Sequence, residues 1–228
     1  MKFLAYDTSS EVLGIAIFEN DALVTEREFP LFTRHSSDLA PLLARVLREN
    51  KTEFEELDVI AVGLGPGSFT GLRVGITTAK VMAYCLGKRI VGVPSIEAIA
   101  RGAALLGDRV AVIMDAKKGK IYSALYEKRR GRWRVVQKPA LRKWGAVLAA
   151  VERPTWFVGD AVPIYREAIE RKKKRCQAAD DRRFYYPKAS VIGQLALARI
   201  RKKMFADPFG LEPLYLHPRD CNVTPCLG

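Results

Sequence analysis

Long apolar runs are missing from this chain. Its 228 residues are 49% hydrophobic, but the apolar residues come in pieces of strand or helix length. None approaches the roughly 20 residues that a bilayer-crossing helix needs. The opening Met1-Lys2-Phe3-Leu4-Ala5-Tyr6-Asp7 meets charge too early for a secretory signal. A cytoplasmic protein with no membrane partner is expected. Histidine is scarce, with only His35 and His217, which leaves no metal-binding pair and no placed base for a serine triad. His35 reads as bordering a helix, and His217 sits in a Pro-flanked stretch. The four cysteines, Cys85, Cys176, Cys221 and Cys226, fit no zinc spacing, so no metal site is expected. Buried or idle thiols are expected. The Cys221–Cys226 pair is spaced to close a small disulfide, against which a reducing compartment argues. Gly-Gly pairs are absent altogether.

What the chain does carry is positive charge, a formal +13. It clusters at Lys117-Lys118-Gly119-Lys120, at Lys128-Arg129-Arg130, at Arg171-Lys172-Lys173-Lys174-Arg175 and at Arg201-Lys202-Lys203. All four blocks lie beyond residue 115. Such blocks attract a polyanion such as RNA, and equally serve as solvated helix ends and hairpin turns. Aromatic platforms among them are few, chiefly Trp133, Tyr185 and Tyr186.

The chain opens with a buried strand, Phe3 to Asp7, a polar turn, and strands at Val12 to Phe18 and Ala22 to Phe29 joined through Asn20-Asp21. A helix follows, capped by Ser36 or Ser37, with Leu39, Leu42, Leu43, Val46 and Leu47 at helical spacing. Asp58 to Leu64 is apolar throughout, as for a strand covered on both faces. Next come the glycine segment, a helix over about Thr70–Leu86 with Gly87 at its C-terminal end, a strand at Arg89 to Val93 and a helix from Pro94-Ser95. The order then restarts. Arg109 to Asp115, Ile121 to Glu127 and Arg132 to Gln137 read as strands, then a helix near Trp144 to Val151, a strand at Thr155 to Val158 and a helix at Ile164 to Lys172. Cys176 to Arg183 reads as a loop and Ala189 to Met204 as an amphipathic helix. The repeat of meander, helix, strand and helix, each copy opened by a strand ending in Asp7 or Asp115, resembles the duplicated ribonuclease-H-like units of the actin, heat-shock-70 and sugar-kinase superfamily. The fold class is therefore α/β with two lobes. Residues 1–100 form the first lobe, with helix 189–204 packing back on it. Residues 101–188 form a smaller second lobe, and residues 205–228 an extended tail. The resemblance places Asp7-Thr8-Ser9 and Asp115-Ala116-Lys117 where that superfamily's phosphate turns face each other.

The glycine segment runs Gly63-Leu64-Gly65-Pro66-Gly67-Ser68-Phe69-Thr70-Gly71-Leu72-Arg73-Val74-Gly75. It lacks the Gly-Lys-Ser/Thr end of a Walker A loop, and Thr70 stands where the dinucleotide fingerprint needs glycine. An anion at the N-terminus of the following helix remains open. Ser68 or Thr70 caps that helix. Gly71, Gly75 and Ala79 recur every four residues and flatten one face, which suits close approach of another helix. Gly67-Ser68-Phe69-Thr70-Gly71 is no nucleophile elbow, because that motif needs Gly-x-Ser-x-Gly.

Gly65 to Gly75, with Asp7-Thr8-Ser9, His35-Ser36 and Pro213-Leu214-Tyr215-Leu216, resembles the signature of the TsaB (YeaZ) family across nearly the whole chain. The resemblance implies a non-catalytic subunit of the machinery that makes N6-threonylcarbamoyladenosine at position 37 of tRNA. It implies pairing with the catalytic TsaD-type subunit, a TsaE-type ATPase recruited through the complex, and tRNA held within it. It also implies a four-helix contact through about Ser36–Glu49 and Thr70–Leu86. On that basis Leu39, Leu42, Leu43, Val46, Gly71, Leu72, Gly75, Thr78, Ala79 and Met82 are the expected partner-binding residues. Asp7, Thr8 and Ser9 form a vestigial phosphate loop, and Arg171, Lys172, Lys173, Lys174 and Arg175 are the candidate tRNA contact. No tightly bound cofactor is expected, with ATP or ADP reserved for the partner interface and a homodimer for the isolated chain. The catalytic relative's metal-binding His-Leu-Glu-Gly-His stretch is matched here by Ser95-Ile96-Glu97-Ala98-Ile99. Two other classes stay open: a stand-alone nucleotide hydrolase or kinase using Asp7, Thr8 and Ser9, and a stand-alone RNA-binding protein.

Overall fold

The computed structural model describes residues 1–30, 35–172 and 175–216, the side chains of residues 35–37 excepted. The expectations for the side chains of His35, Ser36 and Ser37, and for Lys173, Lys174, His217, Cys221 and Cys226, lie outside the described residues. The first sheet holds β1 (Lys2–Asp7), β2 (Val12–Glu19), β3 (Ala22–Pro30), β4 (Val59–Gly63) and β5 (Arg89–Val93), in the order β3-β2-β1-β4-β5. The second holds β6 (Arg109–Asp115), β7 (Ile121–Arg129), β8 (Arg132–Arg142), β9 (Thr155–Val158) and β10 (Cys176–Ala178), in the order β10-β9-β6-β7-β8. In each, three antiparallel strands form a meander and two parallel strands extend its first strand. This is the ribonuclease-H-like unit, twice, in a two-lobed α/β arrangement.

The side-chain period of two sorts β1 cleanly. Leu4 and Tyr6 point into the core under α1 (His35–Glu49) and α2 (Phe69–Cys85), while Phe3 and Ala5 point to α6 (Ala189–Arg201). Both hairpin loops at the meander tips have two residues at positive φ, Asn20 with Asp21 and Arg130 with Gly131. That handedness matches the right-handed strand twist. On α6, Ile192, Ala196 and Leu197 meet the stacked Phe3 and Phe18 rings, whose centroids are 4.7 Å apart.

Helix α3 (Ser95–Gly102) lies between the sheets. Its Ala98 packs into the first sheet's core, while Ile96, Ile99 and Ala100 pack on Val110, Val112 and Tyr122 of the second. The boundary expected at residue 100 therefore cuts a helix that both cores use. The second lobe is completed by α4 (Trp144–Ala149) and α5 (Val162–Glu170) on the far face of its sheet.

One expectation needs correction, and two others gain detail. The stretch from Cys176 to Arg183 is not all loop. Residues 176–178 add β10 beside β9, and Arg182–Phe184 form a single 3-10 turn. Of the described cysteines, Cys85 at the end of α2 is exposed and Cys176 is buried. Residues 205–216 do not trail away: Ala206 bridges Ile90, Leu211 enters the first core, and the Leu214 N–H donates to the Leu64 carbonyl at 2.8 Å. Among the described residues, no helix is long and apolar enough to cross a membrane.

Ile192 on α6 is fully buried. Ile192→Ala is expected to destabilise the whole chain by roughly 2–5 kcal/mol through lost burial and a residual cavity, measured by urea unfolding. An effect below about 1 kcal/mol would show α6 to be peripheral to the first lobe.

Candidate functional site at the glycine loop and interlobe cleft

The glycine segment leaves β4, turns at Gly65 with φ +89°, and starts α2 with Ser68 as N-cap, its Oγ accepting from the Gly71 N–H at 3.2 Å. Gly71 and Gly75 then press against the end of β1. A Cβ at Gly71 would sit 2.1 Å from the Thr8 carbonyl oxygen, and one at Gly75 would sit 2.1 Å from Thr8 Oγ1. Because no side chains intervene, two hydroxyls reach helix carbonyls. Tyr6 Oη donates to the Gly75 oxygen at 2.7 Å and Thr8 Oγ1 to the Gly71 oxygen at 2.8 Å. Each carbonyl has a second lone pair available for this. The Ser68 N–H donates to the Ser9 carbonyl at 2.7 Å.

The flat stripe is thus consumed inside the chain. Gly71, Leu72, Gly75 and Ala79 are buried, as are Leu39, Leu43 and Val46 on α1. These residues, expected to face a partner, form the chain's own α1–α2–sheet core. Leu42 and Met82 pack half-buried against the same core, and Thr78 is half-buried at its edge. The opposite side of α2 is the free one. Phe69, Arg73, Thr77, Val81 and Tyr84 follow one another at helical spacing and are exposed, with Val81 at 54% and Tyr84 at 67%. This row was legible as an i, i+4 pattern of large residues two positions out of phase with the glycines. Beside it a groove of about 470 Å³ runs between α1 and α2, lined by Ala40, Phe54, Thr78, Val81 and Met82. The 205–216 segment borders the row from the other side. Phe209 meets Tyr84 edge to face at 5.4 Å, Lys80 Nζ donates to the Phe209 carbonyl at 3.1 Å, and Tyr215 lies beside Phe69 at 5.7 Å.

At the end of β1 the Asp7 carboxylate has no exposed surface. Its Oδ1 accepts from the Ser9 N–H at 2.8 Å and Ser9 Oγ at 2.6 Å, and its Oδ2 accepts from Ser95 Oγ at 2.5 Å. Ser95 Oγ in turn accepts from the Gly65 N–H at 2.8 Å. Burial pushes the Asp7 carboxyl up, against the lowering effect of the Ser9 and Ser95 hydrogen bonds. A hydrolase that held Mg²⁺ on Asp7 would need a carboxylate open to solvent, and this one is committed to its own loop. The stretch Ser95 to Ile99 does not fit a metal either. The Ser95 hydroxyl is engaged at both ends, and Ile99 is buried against the second sheet.

Across the cleft, Lys117 pairs with Asp115 at 2.8 Å. Partial burial pulls Asp115 upward, but the hydrogen bonds and charge of Lys117 outweigh it and leave the carboxyl below its usual range. Asp160, at the end of β9, accepts from the Asp115 N–H at 2.9 Å. Burial pushes Asp160 up to about 6, only partly offset by that hydrogen bond. The lobes are latched beside it by Glu11, which takes Arg182 at 3.1 Å and the Tyr186 hydroxyl. The candidate tRNA residues Arg171, Lys172 and Arg175 line a separate groove of about 740 Å³ that also contains Glu152 and Glu170. They do not converge with the glycine loop.

A carboxyl raised on folding contributes stability at low pH that is lost as pH rises through its folded value. Asp160 therefore costs stability at neutral pH. Asp160→Asn keeps an acceptor for the Asp115 N–H. It is expected to stabilise the chain by on the order of 2 kcal/mol at pH 8, with the advantage fading as pH falls through about 6 and gone by about pH 4. Urea unfolding at both ends of that range checks this, and a variant no more stable than the parent at pH 8 refutes it.

Over residues 32–219 the chain matches the family described as TsaD: tRNA N6-adenosine threonylcarbamoyltransferase. It is 31% identical over 219 residues to the tRNA threonylcarbamoyladenosine biosynthesis protein TsaB of Bacillus subtilis (strain 168), covering 95% of this chain and 94% of that one. It shares 33% identity over 147 residues, 63% of each chain, with the protein of the same name from Escherichia coli (strain K12). The solved structure of YeaZ from Pseudomonas aeruginosa superposes with a TM-score of 0.79 at 24% identity, covering 94% of this chain and 99% of that one, which speaks for the fold. Sequence identity sustained over almost the full length of both chains carries the assignment: the chain belongs to the TsaB (YeaZ) family.

Proposed function

We propose that this chain is a non-catalytic subunit that binds and supports a TsaD-type catalytic subunit in threonylcarbamoyl transfer to adenosine 37 of tRNA. The names of the relatives support the pathway. The observation that carries the subunit role is the exposed row on α2, Phe69, Arg73, Thr77, Val81 and Tyr84, flanked by Phe209. Val81, Tyr84 and Phe209, large apolar groups gathered in water at one end of the row, mark a surface that another protein covers. The helix beneath is fixed to the sheet by its glycine face, so the row is presented on a rigid element. A helix pair from the partner laid over α2 and the α1–α2 groove would bury Val81 and Tyr84 at the centre. The enclosure of Asp7 by Ser9 and Ser95 supports the absence of independent phosphate chemistry.

The same reading extends to the remaining components. ATP or ADP belongs at the contact with the catalytic subunit, a TsaE-type ATPase joins through the complex, and tRNA is held by the complex. The isolated chain pairs with its own copy through the α2 row when the partner is absent. The cytoplasm is where these components would meet.

The test separates the two faces of α2. Val81→Glu is expected to weaken co-purification with the catalytic partner at least tenfold while the chain melts as the parent does. Gly75→Arg is expected to unfold the chain itself, because a Cβ there already meets Thr8 Oγ1 at 2.1 Å. If Val81→Glu pairs as well as the parent, the α2 row is not the docking face.

A further inference from the structure

The hairpin formed by β7 and β8 is strongly one-sided in charge. Residues 128–151 contain no Asp or Glu, while eight Lys and Arg fall between residues 128 and 143. At the hairpin tip, Arg129, Arg130, Arg132 and Arg134 are all exposed. Register sets several of them on one face. Arg129 lies opposite Arg132, Glu127 opposite Arg134, and Arg109 of β6 opposite Glu127. Cross-strand partners share a face of the ribbon.

Glu127 organises this face. Its carboxylate takes Arg129 at 2.6 Å, Arg109 at 3.1 Å and Arg153 at 3.4 Å. The Glu127 side chain is only 12% exposed, whereas those of Arg129 and Arg153 are 55% and 61% exposed. One largely covered carboxylate thus holds two guanidinium groups in place while leaving them open to solvent. Asp108, before β6, and Glu152, next to Arg153, add two acids beside this face, still outnumbered by Arg109, Arg129, Arg130, Arg132, Arg134 and Arg153. Arg129 directly opposite Arg132 is an unfavourable like-charge pair, and a broken local rule of this kind signals a use outside the fold.

Guarding a long edge strand is the alternative use. β8 is the last strand of its sheet, and Lys or Pro on an edge discourages strand pairing. That accounts for Lys138 and Pro139. It does not account for arginines gathered at the already paired tip. The Arg171–Arg175 region is less suited to a polyanion, because Glu152 and Glu170 share its groove and Glu167 pairs with Arg171 at 3.6 Å.

We propose that the tip of the β7–β8 hairpin, with Arg153, is a surface that binds the phosphate backbone of RNA. Planar guanidinium groups held in position suit phosphate oxygens bidentately. The absence of a stacking platform on this face makes the contact sequence-independent. Trp133 is half-buried, with Arg101 over its ring at 5.6 Å. The choice of RNA rests on the tRNA-modification reading above. In that reading the hairpin positions the tRNA body while the partner acts on the base.

The test uses an unmodified tRNA transcript, the full chain alone and the chain with its catalytic partner. The variant Arg130→Gln/Arg132→Gln/Arg134→Gln removes exposed charge and is expected to fold and to retain the partner. Its tRNA affinity is expected to fall at least tenfold at low salt, with the slope of log K against log salt shallower by about 2. Arg171→Gln/Arg175→Gln is expected to change affinity less than threefold. Unchanged affinity and slope in the hairpin variant would overturn the proposal, whatever the partner assay gives. Loss of solubility with unchanged affinity would assign the arginines to edge protection and overturn it equally. Val81→Glu provides the converse, losing the partner while the chain alone keeps its tRNA affinity, so failure at one surface is distinguishable from failure at the other.

Discussion

The contact between α2 and the end of β1 is the constraint on which the rest of the structure depends. Two helix carbonyls accept the hydroxyls of Tyr6 and Thr8 at 2.7 and 2.8 Å, distances that require the helix backbone to lie against the strand with nothing between. Glycine at 71 and 75 is what permits it. From this contact the first lobe is assembled in sequence. Ser68 is brought under Ser9, the turn after β1 closes around Asp7, and Ser95 at the start of α3 completes the enclosure. The loop after β1 is thereby filled by the chain's own side chains.

That contact also decides what α2 can offer to the outside. At about 100° per residue, Gly71 and Gly75 lie roughly opposite Phe69, Arg73, Thr77 and Val81. One face is glued to the sheet and the other is presented to water on a support that cannot shift. The second lobe differs in kind. It exposes single apolar side chains such as Val135 and Ile164, but its best-organised surface is set by Glu127 drawing three arginines together. The chain therefore places its exposed apolar row and its basic ribbon on different sheets.

Much of the architecture was legible because the repeat of elements is strong. The two carboxylates at the ends of β1 and β6, the apolar β4 and the Asn20-Asp21 and Arg130-Gly131 turns each carry a local signal with a physical cause. β10 escaped because Cys176-Gln177-Ala178 is too short to show alternation and is specified by pairing with β9 alone. The stripe of Gly71, Gly75 and Ala79 was readable as a close-approach face, but a sequence pattern is the same whether the approaching surface comes from the same chain or another. Tyr6 and Thr8 held the missing information, since hydroxyls spaced to meet helix carbonyls lie 63 to 69 residues away in sequence. The organisation of arginines around Glu127 likewise depends on strand register, which composition does not reveal.

Helix α3 has a mechanical meaning. In two-lobed folds that close on a nucleotide, the halves swing about a hinge, and the cleft changes width as they do. Here α3 is wedged into both cores, and Glu11 ties the first lobe to Arg182 and Tyr186 of the second. The junction between the lobes is built as a strut. A body braced in this way behaves as a jig, setting the angle and spacing between the helical row of one lobe and the arginine ribbon of the other.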